Sequence, residues 1–172
     1  GMFITNDDAV ADTVRMLRVH GARKKYYNEV VGVNSRLDEI QATVLRIKLR
    51  KIDAWNEGRR QVAERYNALL SGIDGVTTPY EAGYAKHVYH QYTIKISGGK
   101  RDAVQKALAD QNIGSFVYYP VPMHQLPVYQ SMNLTLPIAE LCASEVLSLP
   151  IWPSLDEATQ TRVADAIRAA LK

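Results

Sequence analysis

The chain has 172 residues, of which 47% are hydrophobic and 23% charged, a composition typical of a globular protein with a real core. The net charge of +3 is spread over residues of both signs, which argues against nucleic acid or a membrane surface as the partner. Cys142 is the single cysteine, which excludes an internal disulfide and a cysteine cluster for a metal. No apolar run is long enough to cross a bilayer. We expect a cytoplasmic protein with Cys142 in its core.

The first 34 residues are predicted to hold a strand end, a helix and a loop. Residues 3–5, Phe-Ile-Thr, are typical of the end of a strand. The sequence Asn6-Asp7-Asp8 predicts the cap and first turn of a helix that continues to about Val19. Residues 22–34 are predicted to be a polar, aromatic loop.

One long helix is predicted from Ser35 to about residue 72, where Gly72 ends the pattern. Ser35 followed by Asp38 resembles a capping box. Apolar residues repeat in two stripes, which predicts burial on two sides, and a bend is expected near Lys51–Asp53 or Gly58. If straight, this helix would be roughly 50 Å long, so we expect it to join two domains or two subunits.

A small α/β domain, in which helices flank a mixed sheet, is predicted over residues 73–172. Its strands are predicted from alternation, and its helices from apolar repeats and caps. The predicted elements are strands over 89–97 and 113–119 and helices over 101–111 and 137–147, with a last helix capped by Ser154 and Glu157.

The four histidines have no metal-site spacing, so no metal site is predicted. His87 and His90 flank a strand entry and are expected on opposite faces, so at most one of them points at a given site. Each histidine is either a hydrogen-bonded structural residue or a member of a site.

Two stretches could form binding sites. Tyr118 and Tyr119 precede a proline-stiffened loop that ends near His124, which suits either a binding site or an aromatic mini-core under a loop. Asn34 and Arg36 lie at the predicted start of the long helix, where amide and guanidinium donors suit a phosphate or carboxylate. The alternative is an ordinary helix cap with a solvated Arg36.

Taken together, these segments resemble the DegT/DnrJ/EryC1/StrS family of sugar aminotransferases, which are pyridoxal-phosphate enzymes of fold type I. The resemblance covers essentially the whole chain, in order and at the family's spacing. The matching segments are GMFITND (1–7), RVHG (18–21), GVNSRLDEIQA (32–42), HVYHQY (87–92), YYPVPMH (118–124) and SLPIWP (148–153).

The resemblance implies a domain organisation. Residues 1–34 would be a remnant of the large cofactor-binding domain, residues 35–72 the long connecting helix, and residues 73–172 the carboxy-terminal small α/β domain.

The resemblance also implies a function. A homodimer with shared active sites would transfer an amino group, from a donor such as glutamate, to a keto sugar on a nucleotide diphosphate carrier, in amino-sugar and polysaccharide biosynthesis. Asn34 would bind the phosphate of pyridoxal 5'-phosphate in the neighbouring subunit's site. The residues implied near the substrate are Arg36, Tyr118, Tyr119, His124 and His87.

One departure from the family is large. The lysine that forms the Schiff base in relatives lies upstream of the segment matching residues 2–5, so no catalytic residue is predicted here. We therefore expect a carboxy-terminal portion that does not transaminate alone, with exposed apolar faces that favour self-association. The alternative is a non-catalytic sugar-nucleotide-binding or regulatory module.

Overall fold

The computed structural model describes residues 2–172, and Gly1, which belongs to the predicted first segment, lies outside the described residues. The chain divides into two compact units, one up to Arg50 and one from Lys51 onward. Among residues 2–172, no helix combines the length and the apolar character that a membrane span requires.

The unit up to Arg50 holds two helices and a hairpin: α1 (Asp8–Leu17), β1 (Ala22–Lys24), β2 (Tyr27–Asn28) and α2 (Glu39–Leu49). The predicted cap of α1 is confirmed, because the Asp7 carboxylate accepts from the backbone N–H groups of Ala9 and Val10. The hairpin lies within the predicted loop. Residues 2–5 do not form the predicted strand, since they pair with no strand among the described residues.

Helix α2 begins later than predicted. Its N-cap is Asp38, not Ser35, whose backbone N–H instead donates to Arg18 O at 2.9 Å. No residue of α2 is buried, so the predicted burial on two sides is not found among residues 2–172. The expectation of exposed apolar faces is confirmed by its large side chains, Ile40, Val44, Leu45, Ile47 and Leu49.

The predicted long helix is in fact two helices. Arg50 and Lys51 form a turn, and α3 runs from Ile52 to Leu70. The interruption falls beside the bend expected near Lys51–Asp53.

The unit from Lys51 onward is a three-stranded sheet with helices. After α3 come β3 (Val76–Thr77), β4 (Tyr92–Ile96), α4 (Arg101–Asp110), 3-10 turns at Met123–Gln125 and Pro127–Met132, α5 (Pro137–Glu145), β5 (Val146–Leu149) and α6 (Glu157–Leu171). The order is β3-β4-β5 with antiparallel pairing throughout, so the sheet is antiparallel where a mixed one was predicted.

Two predictions around β5 are wrong for one reason. The helix predicted through Leu147 ends at Glu145, because Val146–Leu149 pairs with the free edge of β4. The strand predicted over 113–119 is reduced to a single bridge between Phe116 and Ser148 on the other side of β5. Pairing partners remote in the sequence decided both outcomes.

The core lies between the sheet and helices α3, α4 and α6. Tyr66, Tyr92, Ile94, Leu108 and Ile167 are among its fully buried side chains. A buried polar residue, Gln160 of α6, donates from Nε2 to Val62 O of α3 at 2.8 Å. Its side-chain oxygen accepts from Arg65 Nε at 2.7 Å, so this buried amide is satisfied on both sides.

The cap of α6 also differs from the prediction. Asp156, not Ser154, is the N-cap, and its carboxylate accepts from Thr159 N at 2.8 Å.

A glycine in α3 gives a stability test. An alanine normally stabilises a helix by about 1 kcal/mol over glycine. At Gly58, however, a Cβ would lie 2.5 Å from the backbone oxygen of Pro153. We therefore expect Gly58→Ala to lower the melting temperature, measured by circular dichroism. Glu64→Ala, at an exposed position of the same helix, is the matched control, and a melting temperature raised by Gly58→Ala would contradict this packing.

Candidate functional site

A cleft of about 1100 Å³ lies in the unit from Lys51 onward and collects three of the predicted site residues, Tyr118, Tyr119 and His124. The loop from Tyr118 to Pro122 and the two 3-10 turns form one wall, and α5 forms another. Pro120 and Pro122 fix the backbone there, as the sequence predicted. Much of the remaining lining is apolar, including Leu126, Met132, Leu134 and Leu136.

The two tyrosines stand at the open side of this cleft. Tyr118 is 40% exposed and Tyr119 is 74% exposed, and their rings meet edge to face at 5.8 Å. Neither hydroxyl bonds to another of residues 2–172, so both are available to a ligand. Hydroxyls beside aromatic faces suit a sugar, which presents both hydrogen-bonding groups and apolar C–H surface.

His124 is held at the base of the cleft. It is buried, and its Nε2 lies 2.9 Å from Glu140 Oε1 of α5. The same carboxylate oxygen accepts from Leu136 N at 3.0 Å. The backbone N–H of Leu136, and then the His124 imidazole, lower the pKa of the Glu140 carboxyl, so this group is ionised at neutral pH. Sequence reasoning missed Glu140, since no spacing rule links it to His124.

Cys142 lines the same cleft. Its side chain is partly buried, not fully within the core as expected. It lies two residues after Glu140 on α5 and contributes to the apolar lining.

His87, which was also predicted near the substrate, is not among the residues that line this cleft. It belongs to a second cluster, in which Glu81 accepts from Arg60 Nη1 at 2.6 Å, from His87 N at 3.0 Å and from the Tyr89 hydroxyl at 3.0 Å. His87 Nδ1 accepts from Tyr89 N at 2.8 Å. This cluster holds the loop before β4 against α3. His87 is thus a hydrogen-bonded structural residue, which is one of the two roles that the sequence allowed for each histidine.

Asn34 and Arg36 lie in the unit up to Arg50 and contact each other. Arg36 Nε donates to Asn34 Oδ1 at 3.3 Å, and Asn34 is fixed by a backbone bridge to Val19. Both side chains are exposed. They precede the cap of α2 and are outside its first turn, so the helix end does not supply the predicted anion attraction.

Arg36 nonetheless borders a polar cleft of about 910 Å³ in this unit, together with Arg15 and Arg18. Arginines from two segments thus line one space, an arrangement suited to a phosphate or carboxylate. Asn34 Nδ2 makes no hydrogen bond within residues 2–172 and remains a free donor next to Arg36.

A metal site is not found in the described part of the chain. No three or more His, Cys, Asp or Glu side chains there are grouped so that they could hold a metal ion.

Comparisons with known proteins agree on one family. The model of the DegT/DnrJ/EryC1/StrS aminotransferase family matches residues 1–168. A protein of Geobacillus stearothermophilus named "Pleiotropic regulatory protein" is 47% identical over 97% of this chain and 46% of its own length. An Acidithiobacillus ferrooxidans protein named as a UDP-N-acetyl-3-dehydro-alpha-D-glucosamine 3-aminotransferase is 42% identical over 99% of this chain and 46% of its own.

A solved structure supports the same fold. The S. venezuelae DesV structure in complex with a ketimine intermediate matches with a TM-score of 0.88 and 40% identity, over 98% of this chain and 46% of that one. The predicted α/β fold class is therefore confirmed. The chain spans about half the length of the curated relatives it matches.

The Glu81 cluster predicts a pH dependence of stability. The bond from Arg60, and then that from His87 N, lower the pKa of the Glu81 carboxyl to about 2 in the folded chain, from an ordinary 4.5. Since the folded pKa is depressed, this contribution is complete above pH 4.5 and is lost as the pH falls toward 2. We expect Glu81→Gln to be less stable than wild type at pH 7 and to lose less stability between pH 4.5 and 2, as measured by urea unfolding. Glu64→Gln is the control, and identical acid profiles for wild type and Glu81→Gln would contradict the pairing.

Proposed function

The chain belongs to the DegT/DnrJ/EryC1/StrS aminotransferase family, and we propose that it is the carboxy-terminal portion of an enzyme that aminates a keto sugar carried on a nucleotide diphosphate. The observation that carries the proposal is the cleft shared by Tyr118, Tyr119 and His124, three residues expected near the sugar. The aminotransferase name of the Acidithiobacillus relative supports the same substrate class. Glutamate is the proposed amino donor.

In this proposal Tyr118, Tyr119 and His124 bind the sugar side of the substrate. The tyrosine rings cover its C–H surface, and their hydroxyls orient the keto carbon toward the reacting centre. Arg36, beside Arg15 and Arg18, binds an anionic group of the substrate or donor. His87 acts indirectly, by holding the loop before β4.

The residues present fit part of pyridoxal 5'-phosphate. Asn34 has a free side-chain amide donor and stands next to a guanidinium, which suits the cofactor's phosphate. When bound, the cofactor supplies an electron sink for amino transfer. We propose that Asn34 serves the neighbouring subunit of a homodimer, and that the exposed apolar face of α2 contributes to the interface between subunits.

The residues do not fit covalent attachment of the cofactor. A Schiff-base lysine needs a desolvated amine, and every lysine among residues 2–172 is exposed. We therefore propose that the chain does not transaminate by itself, and we derive no catalytic step from its lysines.

A second candidate function is a non-catalytic sugar-nucleotide-binding or regulatory module. Two observations favour it: the exposure of every lysine, and the name "Pleiotropic regulatory protein" carried by the Geobacillus relative. Both candidates need the same sugar-nucleotide cleft. They differ in whether this chain transaminates when it is combined with the amino-terminal portion of a family enzyme, which carries the Schiff-base lysine.

Binding of a nucleotide sugar tests the cleft. We expect UDP-glucose, titrated into the ¹⁵N-labelled chain, to shift the backbone resonances of Tyr118, Tyr119 and His124. Tyr119→Phe, which removes one hydroxyl, is expected to weaken binding by roughly three- to tenfold. Tyr84→Phe is the matched control, because Tyr84 is 96% exposed and lies outside the cleft. Equal weakening by both substitutions would argue against the cleft as the sugar site.

Cofactor trapping tests the missing covalent site. After the purified chain is mixed with pyridoxal phosphate and reduced with borohydride, we expect only slow labelling scattered over several exposed lysines, as read by intact mass and peptide mapping. Pyridoxal phosphate with Nα-acetyl-lysine, whose side-chain amine is free, gives the reference rate of labelling for an exposed lysine. A fast adduct on one lysine would show an activated amine in this chain and would overturn the proposed inactivity.

A further inference from the structure

Glu140 of α5 joins the loop wall of the Tyr118–His124 cleft to its helical wall, and among residues 2–172 no other charged side chain hydrogen-bonds to His124. Its Oε1 accepts from His124 Nε2 on one side and from the backbone N–H of Leu136 on the other. Its side chain is 34% exposed, whereas that of His124 is 5% exposed. The partly exposed carboxylate therefore holds a nearly buried imidazole through its Nε2 atom.

This bond fixes which nitrogen of His124 carries the proton. An ionised carboxylate only accepts hydrogen bonds, so Nε2 must be the donor. In the neutral imidazole the lone pair is then on Nδ1. Nδ1 has no hydrogen-bond partner among residues 2–172, and it is not one of the fully buried unpaired atoms of the described chain. The ring thus keeps one accepting atom for the cleft that it lines.

An accepting nitrogen selects among ligand groups. A sugar hydroxyl can donate to it, whereas a fully ionised phosphate offers only acceptors. Because the neighbouring lining is largely apolar, an unpaired acceptor there is costly unless a ligand satisfies it.

We propose that Glu140 is a positioning residue for substrate binding, which holds His124 through Nε2 so that Nδ1 accepts a hydrogen bond from a hydroxyl of the sugar. This inference rests on the proposed function, since it concerns the same cleft. It adds a residue outside the cleft lining and names the atom of His124, Nδ1, that contacts the sugar.

The hydrogen bond also orders the wall itself. Gln125 N and Leu126 N donate to Pro122 O and Met123 O in the turn that carries His124. The contact between His124 and Glu140 links that turn to α5, and Glu140→Ala removes this link. Glu140 acts through His124, so its effect on binding must vanish when His124 cannot use it.

The first test uses the ¹⁵N-labelled 172-residue chain. Long-range proton–nitrogen spectra are expected to show His124 with a protected Nε2–H. Glu140→Ala should abolish this signal, and Glu140→Gln should retain it because its amide oxygen still accepts. Glu145→Gln, on the same helix and outside any side-chain hydrogen bond among residues 2–172, is the control that should change nothing. A protected Nε2–H that persists in Glu140→Ala would overturn the proposal.

The second test is a double-mutant cycle on binding of UDP-glucose and UDP, followed by calorimetry. We expect Glu140→Ala to weaken UDP-glucose binding about tenfold, UDP binding less than threefold, and neither further in a His124→Phe background. Equal weakening in both backgrounds, or of both ligands, would overturn the proposal. Circular dichroism confirms that each variant is folded, and retained binding in Glu140→Gln would separate positioning from loss of structure.

These tests separate the two levels of inference. If the wild-type chain binds no UDP-glucose, while Glu140→Ala still removes the His124 signal, the proposed substrate class is rejected and the His124–Glu140 link stands. If UDP-glucose binds but Glu140→Ala changes neither readout, the link is rejected and the substrate class stands.

Discussion

Burial of one strand, Tyr92–Ile96, is the constraint on which the larger unit depends. Its inward side chains, Tyr92, Ile94 and Ile96, are fully buried, and it pairs with a neighbour on each edge. The Tyr92 hydroxyl donates to Asn67 Oδ1 at 2.6 Å, and its ring stacks on Tyr66 at 5.0 Å, which ties the strand to α3. Removal of the strand would leave β3, β5 and the helices without a shared surface.

The candidate site inherits its geometry from this strand. β5 pairs with β4 and follows α5 directly, so the sheet fixes the end of the helix that carries Glu140. Arg101 adds a second restraint, since its guanidinium donates to the oxygens of Ala143 and Val146 at that same junction. The cleft is therefore built from a proline-stiffened loop placed against a helix whose end is joined to the sheet.

Sequence patterns predicted the elements whose signal is local. The alternation at Tyr92–Ile96 and the apolar repeat over Arg101–Asp110 gave elements close to those observed. Patterns were wrong where a strand partner remote in the sequence determines the secondary structure. Val146–Leu149 continues the apolar repeat of α5 but forms a strand, because it pairs with β4. They were also wrong at helix starts, since Asp38 and Asp156 compete with Ser35 and Ser154 as caps within three residues.

The same rule holds for the site. Tyr118, Tyr119 and His124 line one cleft and are close in sequence, whereas His87 lies elsewhere, where it bonds to Glu81 and Tyr89. The sequence could not predict a role for Glu140. That role depends on its contact with His124, sixteen residues away, and no periodic pattern links the two positions. Asn34 and Arg36 remain proposals, supported by their mutual contact and by the donors they leave free.

The buried amide of Gln160 has a consequence for how the chain acquires its structure. Its bonds to Val62 and Arg65 join residues almost one hundred positions apart, and α6 also contributes side chains to the core. During synthesis, α3 and the sheet leave the ribosome with their inner faces still uncovered, and the core cannot close until α6 has emerged. The core of this unit is therefore completed only after α6 has been synthesised, and until then the inner faces of α3 and the sheet are exposed.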